Sequence, residues 1–255
     1  MLSVSDYPHA KWQDKFPDNK VRLEPNIHSS WIPLFSKLMA DPRFEKLEAK
    51  LAEVMKSGVE IYPYPGLLFS AFRATPLDDL KVVIIGQDPY FKSERGIPQA
   101  MGLSFSVPVG LDIPSSLINI NKNLVRFGHI TRRPDHGNLE FWAYQGCLML
   151  NTALSVSHND KNSHANMWRW FTDAVIEYIS REKSGIIFVL WGAPALGKLK
   201  LIDVSRHEVI ISSHPSGLSC SKSLGEYPPF DEVDHFGKIN EFLRRAGRQE
   251  IIFGL

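Results

Sequence analysis

The sequence predicts an α/β fold with three layers, α/β/α, whose central layer is a four-stranded parallel sheet. Four short apolar runs carry this prediction: KVVII at 81–85, CLML at 147–150, IIFVLW at 186–191 and EVIIS at 208–212. At least one segment of helical periodicity separates each run from the next. Apolar runs that alternate with helices indicate βαβ units and a parallel sheet that helices cover on both faces.

The helices are predicted in order along the chain. Asp41 is the expected N-cap of a helix with Pro42 at its first position, and apolar residues recur at helical spacing until Gly58. Later helices are expected over 114–127, 166–181, 194–202 and 234–246. We expect one domain over 1–255, with a helical N-terminal part at about 1–65 and a core at 66–246.

Length, charge and cysteine content exclude several classes of protein. The 255 residues carry 29 basic and 28 acidic side chains, a formal net charge of +1, so any DNA-binding face must be a local patch. The longest uncharged apolar stretch, 184–197, is too short to span a bilayer, and the N-terminus resembles no secretory signal. Cys147 and Cys220 form neither a disulfide scaffold nor a zinc framework. We expect a protein that is not secreted, located in the cytoplasm of a bacterium, or in the nucleus or cytoplasm of a host cell if the source is viral or eukaryotic.

Polar residues follow three of the predicted strands. Asp88 comes just after the first run, Asn151 directly after the second, and His214 just after the fourth. Right-handed crossovers place the carboxyl ends of parallel strands along one edge of the sheet, where ligands bind. These three side chains are therefore predicted to converge on one crevice.

The sequence gives weaker support for two other kinds of site, a phosphate-binding loop and a metal site. The segment 192–198 resembles a phosphate-binding G-x-x-x-x-G-K loop, but Leu199 replaces the hydroxyl that binds magnesium and Pro194 removes a backbone N–H. A strand-to-helix turn is the favoured interpretation, and a nucleotide hydrolase is disfavoured. His158 and His164 lie in a polar segment and are expected to be solvated, so we predict no metal site and no cofactor.

A set of motifs spans most of the chain, from about 67 to 245. They are GQDPY (86–90), GIPQAMGLSFSV (96–107), PSSL (114–117), HG (136–137), WAYQG (142–146), LMLN (148–151), NSH (162–164), FTD (171–173), LWG (190–192), HPSGLS (214–219) and HFGKIN (235–240). In this combination and order they resemble the family 1 uracil-DNA glycosylases. The resemblance implies hydrolysis of the N-glycosidic bond between uracil and deoxyribose after the base leaves the DNA stack.

The resemblance also implies roles for individual residues. Asp88 would position water and stabilise the positive sugar, and His214 would donate a hydrogen bond to uracil O2. The implied uracil-binding residues are Gln87, Tyr90, Phe105 and Asn151. The implied DNA-binding residues are Ser116, Ser216, Leu218 and Ser219, with Leu218 entering the duplex. Uracil-containing single- or double-stranded DNA and a DNA-mimicking inhibitor protein are the implied partners of a monomer.

The chain departs from the family pattern at several positions. Phe91 stands where His is usual, residues 92–95 are inserted, Gly217 replaces a proline, and Ala193 replaces a serine. The loop 219–234 is long, and its acidic residues are expected to lie beside the phosphate track. These departures leave open a second interpretation, in which the fold serves as a weakly catalytic or non-catalytic DNA-binding or processivity subunit.

Overall fold

The computed structural model describes residues 1–254, and the strands in that range are short. They are β1 (Ile61–Tyr62), β2 (Val82–Gly86), β3 (Ser93–Glu94), β4 (Ile97–Pro98), β5 (Cys147–Asn151), β6 (Val156–Ser157), β7 (Ile187–Trp191) and β8 (Glu208–Ser212). The α-helices are α1 (Trp12–Lys15), α2 (Ile32–Met39), α3 (Pro42–Lys56), α4 (Ser70–Ala74), α5 (Ser115–Arg126), α6 (Glu140–Tyr144), α7 (Ala165–Glu182), α8 (Ala193–Leu196) and α9 (His235–Arg245).

Four strands form the central sheet in the order β5-β2-β7-β8, and each neighbouring pair is parallel. The predicted four-stranded parallel sheet is therefore confirmed. Every residue of β2, β5 and β7 is buried, because their apolar side chains point into helical layers on both faces. The edge strand β8 stays partly exposed. Gly86 at the end of β2 pairs with Asn151 at the end of β5, which brings two predicted site segments together.

Aromatic contacts tie the helices to the sheet. Helices α2 and α3 pack on α7, where the rings of Phe35 and Phe171 meet edge-on with centroids 5.5 Å apart. Between α6 and α9, the rings of Trp142 and Phe236 lie 5.6 Å apart. The predicted cap of α3 is also present, because the Asp41 carboxylate accepts the N–H of Arg43 at 2.8 Å.

The prediction of one helix over 194–202 was wrong. Helix α8 ends at Leu196, and Leu199–Leu201 forms a separate 3₁₀ turn. Between them the Lys198 ammonium turns inward to the carboxylate of Asp173 on α7, at 2.5 Å. Apolar periodicity alone did not reveal this partly buried ion pair, which engages the lysine of the loop-like motif.

The inserted residues 92–95 belong to a hairpin that the sequence analysis did not predict. Strands β3 and β4 are antiparallel, and Arg95 and Gly96 between them have φ of 52° and 76°. The Arg95 guanidinium donates to the Gly110 carbonyl at 2.8 Å, which attaches the hairpin to the body. The strands have two residues each and no apolar alternation, so no periodicity could signal them.

His164 is buried, which contradicts the expectation that it is solvated. Its ring is 1% exposed and lies 2.8 Å from the Ser155 hydroxyl and 3.0 Å from the Ser157 hydroxyl. Burial lowers the pKa of His164 to about 4, so the ring is neutral and structural. Within residues 1–254, no group of three or more His, Cys, Asp or Glu is arranged to hold a metal ion. None of the helices in that range combines the length and apolarity needed to cross a membrane.

Candidate active site

One cleft of about 660 Å³ opens at the carboxyl ends of the central strands. Its volume lies within the range of small-molecule sites. It is lined by all ten residues that the sequence analysis selected for the site: Gln87, Asp88, Tyr90, Phe105, Ser116, Asn151, His214, Ser216, Leu218 and Ser219. The convergence expected from the strand ends is therefore present.

The Asn151 amide lies flat against the end of β2. A Cβ atom on Gly86 would stand 2.2 Å from the Asn151 Oδ1, so only glycine allows this close approach. The amide is 7% exposed and makes no hydrogen bond to another side chain or backbone group of residues 1–254. Its donor and its acceptor are both left to a ligand in the cleft.

Phe105 presents an aromatic face to the cleft from a constrained backbone. Its φ is 62°, a left-handed conformation that is uncommon for a phenylalanine and concentrates at functional sites. The Tyr90 hydroxyl donates to the Phe105 carbonyl at 3.2 Å, and the Trp191 ring packs edge-on at 5.4 Å. Burial raises the pKa of the Tyr90 phenol, which keeps it a neutral donor.

The turn after β2 is held by the end of β5 and by a distant loop. The Gln87 carbonyl accepts the Thr152 hydroxyl at 2.7 Å, and one oxygen of Asp88 accepts the Asn162 N–H at 2.9 Å. Burial raises the pKa of Asp88, while the Asn162 N–H and the charge of Lys161 oppose that rise. The Asp88 carboxyl is thus fixed through one oxygen, and its other oxygen is free to act in the cleft.

His214 is fixed in one tautomer by its own turn. Its Nδ1 accepts the Ser216 backbone N–H at 3.0 Å, so the proton of the neutral ring resides on Nε2. Burial, aided by the positive charge of Lys161, lowers the pKa of His214 to about 4. Gly192, with φ of 90°, permits the ring's position, since a Cβ there would stand 2.8 Å from the His214 Cβ. His214 is therefore a neutral N–H donor at the cleft.

The loop after His214 is braced from below and projects at its tip. The Asn119 amide of α5 donates to the Pro215 carbonyl at 2.8 Å, and the Ser219 N–H donates to the Ser216 carbonyl at 2.9 Å. Leu218 at the tip is 84% exposed, an unusual environment for a large apolar side chain.

The acidic residues of loop 219–234 do not line the cleft. Asp231 accepts the Ser221 hydroxyl at 2.7 Å, and Asp234 caps α9 and pairs with His129. Their carboxylates are used in holding the loop, while Lys222 does line the cleft. Two further residues were not predicted for the site, although the NSH motif at 162–164 pointed to their segment: Lys161 lines the cleft, and Asn162 donates its N–H to Asp88.

The arrangement combines groups for three tasks in one cleft. An aromatic face and an amide can bind a planar heterocycle, a neutral imidazole can donate to a developing anion, and a carboxylate can face a developing cation. Together with the parallel sheet, this site defines an α/β enzyme suited to a planar base.

Comparisons with known proteins identify the class. Residues 72–244 match the Uracil DNA glycosylase superfamily. The chain is 38% identical to a probable uracil-DNA glycosylase of Acanthamoeba polyphaga mimivirus, covering all of this chain and 72% of that protein. It is 43% identical to a uracil-DNA glycosylase of Pseudomonas fluorescens, covering 92% of this chain and 96% of that protein.

Solved structures support the same family assignment. The crystal structure of the mimivirus uracil-DNA glycosylase matches with a TM-score of 0.96 at 39% identity, over 100% of this chain and 97% of that chain. A variant of the mimivirus protein in complex with UGI also matches with a TM-score of 0.96 at 39% identity, over 100% of this chain and 98% of that chain. The fold and site thus define an α/β DNA glycosylase. The chain belongs to the uracil-DNA glycosylase family.

Proposed function

We propose that this protein removes uracil from DNA by hydrolysing the bond between the base and deoxyribose, with Asp88, Asn151 and His214 as its central residues. The observation that carries the proposal is the convergence of these three side chains, from three distant strand ends, on one cleft. The target nucleotide leaves the stack to enter that cleft, as required of an enzyme that acts on a base within DNA.

Asp88 acts on the sugar. As the bond to the base breaks, positive charge develops on the sugar, and the partly desolvated carboxylate stabilises it. The free oxygen of Asp88 also positions the water that adds to the sugar carbon. The Asn162 N–H, which holds the other oxygen at 2.9 Å, supports this role by fixing the carboxylate's direction.

His214 acts on the leaving base. Negative charge develops on uracil as it departs, and an N–H donor to O2 stabilises that charge. The neutral ring supplies this donor through Nε2, because Nδ1 already accepts the Ser216 N–H. With its pKa lowered to about 4, His214 is not an imidazolium at neutral pH, so it acts as a hydrogen-bond donor rather than as a general acid.

Base selection rests on shape and on one amide. Phe105 stacks on the uracil ring, and backbone groups at Gln87 and Asp88 add donors to it. Asn151 offers a donor to O4 and an acceptor to N3–H, whereas cytosine presents the reverse pattern. Tyr90 lies against C5 and excludes the thymine methyl group.

DNA is held at the mouth of the cleft. Ser116, Ser216 and Ser219 contact phosphates, and the exposed Leu218 fills the space that the base leaves. A DNA-mimicking inhibitor would use the same mouth. Support for that partner comes from the relative from mimivirus, whose variants were crystallised with UGI.

The test is excision from matched oligonucleotides that contain one uracil, cytosine or thymine, followed by alkaline cleavage at abasic sites. The protein should release only uracil, so that alkali cleaves only the uracil-containing strand, and excision should proceed at full rate in the presence of a metal chelator. Binding without excision would support the non-catalytic DNA-binding subunit instead. Turnover that requires magnesium would support a nucleotide-hydrolase-like site at 192–198.

A further inference from the structure

Four cations form a surface of their own beside the cleft. Lys122 and Arg126 lie on α5, Arg132 and Arg133 lie in the segment after it, and all four are exposed. We call them the basic strip. Together with Val125 they line one shallow groove of about 410 Å³. The two arginines also line a second groove, of about 770 Å³, on their other side.

The charges of the basic strip are not neutralised within the protein. Among residues 1–254, the carboxylates pair with other cations, such as Arg43, Arg95 and Arg245. No ion pair in that range includes a member of the strip, and Asp112 is the one acidic residue that lines either groove. Since the whole chain carries a formal charge of only +1, this local excess of positive charge favours an anionic partner.

Helix α5 connects the basic strip to the cleft. Ser115, at the first position of α5, lines the cleft. At about 100° per residue, Lys122 and Arg126 fall on the same face of the helix as Ser115, within about 40°. At 1.5 Å per residue, Arg126 lies about 16 Å along the helix from Ser115. A chain that leaves the cleft at Ser115 can therefore follow one helix face to the strip.

A buried amide lines the second groove. Asn121 is 1% exposed and lines that groove, and its Oδ1 has no hydrogen-bond partner within residues 1–254. A buried amide without a partner is costly in a folded protein. Because Oδ1 is an acceptor, it cannot bind a phosphate, and the charge for a phosphate in this groove comes from Arg132 and Arg133.

We propose that the basic strip binds phosphates of a single-stranded arm of the substrate, on one side of the uracil. The inference rests on the proposed function. Because α5 runs away from the cleft, a straight duplex that lies across the mouth would not reach the basic strip. A flexible single strand can bend along the helix and contact the strip. A length of about 16 Å along the helix leaves room for several consecutive phosphates of one strand in a basic groove.

The test measures excision on single-stranded oligonucleotides that are lengthened from two to eight nucleotides on the 5′ or the 3′ side of one uracil. The strip variant is K122Q/R126Q/R132Q/R133Q. The control K37Q/K46Q/K50Q/K56Q removes the same charge from exposed lysines of α2 and α3. Lengthening on one side should lower the KM of the wild type and the control. At low salt, the KM of the strip variant for the lengthened substrate should be about tenfold higher than that of the wild type. Its kcat on the shortest substrate should be unchanged.

Salt dependence provides a second measurement on the long substrate. Four phosphate contacts to a single strand contribute about 3 to the slope of log KM against log salt, and the strip variant should lose up to that amount. If the KM depended equally on substrate length and on salt in both variants, the proposal would be overturned. The basic strip would then be better explained as a binding surface for an acidic protein. A loss of the same size on duplex substrate would also overturn it. Absence of excision by the wild type would instead refute the proposed function.

Discussion

At the scale of single residues, His214 and Asp88 face one cleft with opposite electrostatic demands. Burial alone favours the neutral form of both side chains. For His214 the neutral form is the useful one, and its pKa of about 4 preserves it. For Asp88 the charged form is needed, and the Asn162 N–H and Lys161 counter the effect of burial. Both side chains line the same cleft.

The neutrality of His214 can be tested by NMR. Because its pKa is lowered from 6.5 to about 4, the ring should remain neutral from pH 7 down to pH 5, with its proton on Nε2. The measurement is a ¹⁵N titration of the imidazole, assigned with His214→Leu. That variant should also excise uracil about 10²–10³-fold more slowly, the usual cost of losing one such donor. A titration midpoint near 6.5 would contradict the assignment of His214 as a neutral donor.

Asn151→Asp tests how the base is recognised. The carboxyl can accept from the cytosine amino group and, when protonated, donate to N3, so the variant should gain cytosine excision and lose uracil excision. A mismatch at each buried group costs about 1–3 kcal/mol, which sets the scale of the change. Release of uracil, cytosine and thymine is compared on single-stranded oligonucleotides.

Thymine provides the internal control for this exchange, because Tyr90 is unaltered and should still exclude the methyl group. An unchanged preference for uracil in a folded Asn151→Asp variant would show that another residue recognises the base.

At the scale of structural elements, Gly86 at the end of β2 and Gly192 just after β7 allow close contact with the side chains of Asn151 and His214. Gly86→Ala would place a methyl group 2.2 Å from the Asn151 Oδ1 and force the amide to move. A displacement of about 1 Å at a reacting site can cost about 10²-fold in rate. Uracil excision should fall by that order.

The matched control is Gly66→Ala, because a Cβ there meets its nearest neighbour at 4.0 Å. Rates and thermal stability of both variants are measured together. An unimpaired Gly86→Ala enzyme would mean that the Asn151 amide is not held by the end of β2.

His164 links the loop before α7 to pH-dependent stability. Its pKa is lowered to about 4 in the folded state, against 6.5 for the unfolded chain. Between these values the unfolded state binds a proton that the folded state does not, so stability is lost as pH falls from about 6.5 to 4. We expect His164→Gln to be less stable at pH 7 and to reduce the pH-dependent loss by about 2–3 kcal/mol.

Urea unfolding at pH 7 and at pH 4.5 measures this change, and the exposed His9→Gln serves as the control. Part of the pH dependence should persist in the His164 variant, because burial also lowers the pKa values of His214 and His235. A pH dependence as steep as that of the wild type would show that His164 is not a buried neutral group.

The elements differ in how far the sequence predicted them. Strand β8 lies at its predicted residues, β2 is shifted by one residue at both ends, and β5 and β7 differ by one residue at one end, because apolar runs of this kind are typical of buried parallel strands. The α8 segment and the β3–β4 hairpin were not predicted correctly. Their conformations depend on the Lys198–Asp173 pair and on the Arg95–Gly110 contact, which no local pattern encodes.

At the scale of the whole molecule, the parallel topology is what assembles the site. Asp88, Asn151 and His214 are far apart in the chain, and the rule that parallel strands end at one edge predicted their proximity. The supporting contacts could not be predicted in this way. Asn162 reaches Asp88 across 74 residues of chain, and Asn119 reaches Pro215 across 96, so each depends on the completed fold.

The most direct test of the account compares Asp88→Asn with the wild type in single-turnover excision and in binding to uracil-containing DNA. The carboxylate acts on charge that exists only in the transition state, so its loss should slow excision by at least about 10²-fold and leave the affinity for DNA nearly unchanged. Asparagine keeps the size of the side chain and an oxygen that can accept the Asn162 N–H. An Asp88→Asn protein that excises uracil at the wild-type rate would contradict the central claim that this cleft carries out the chemistry.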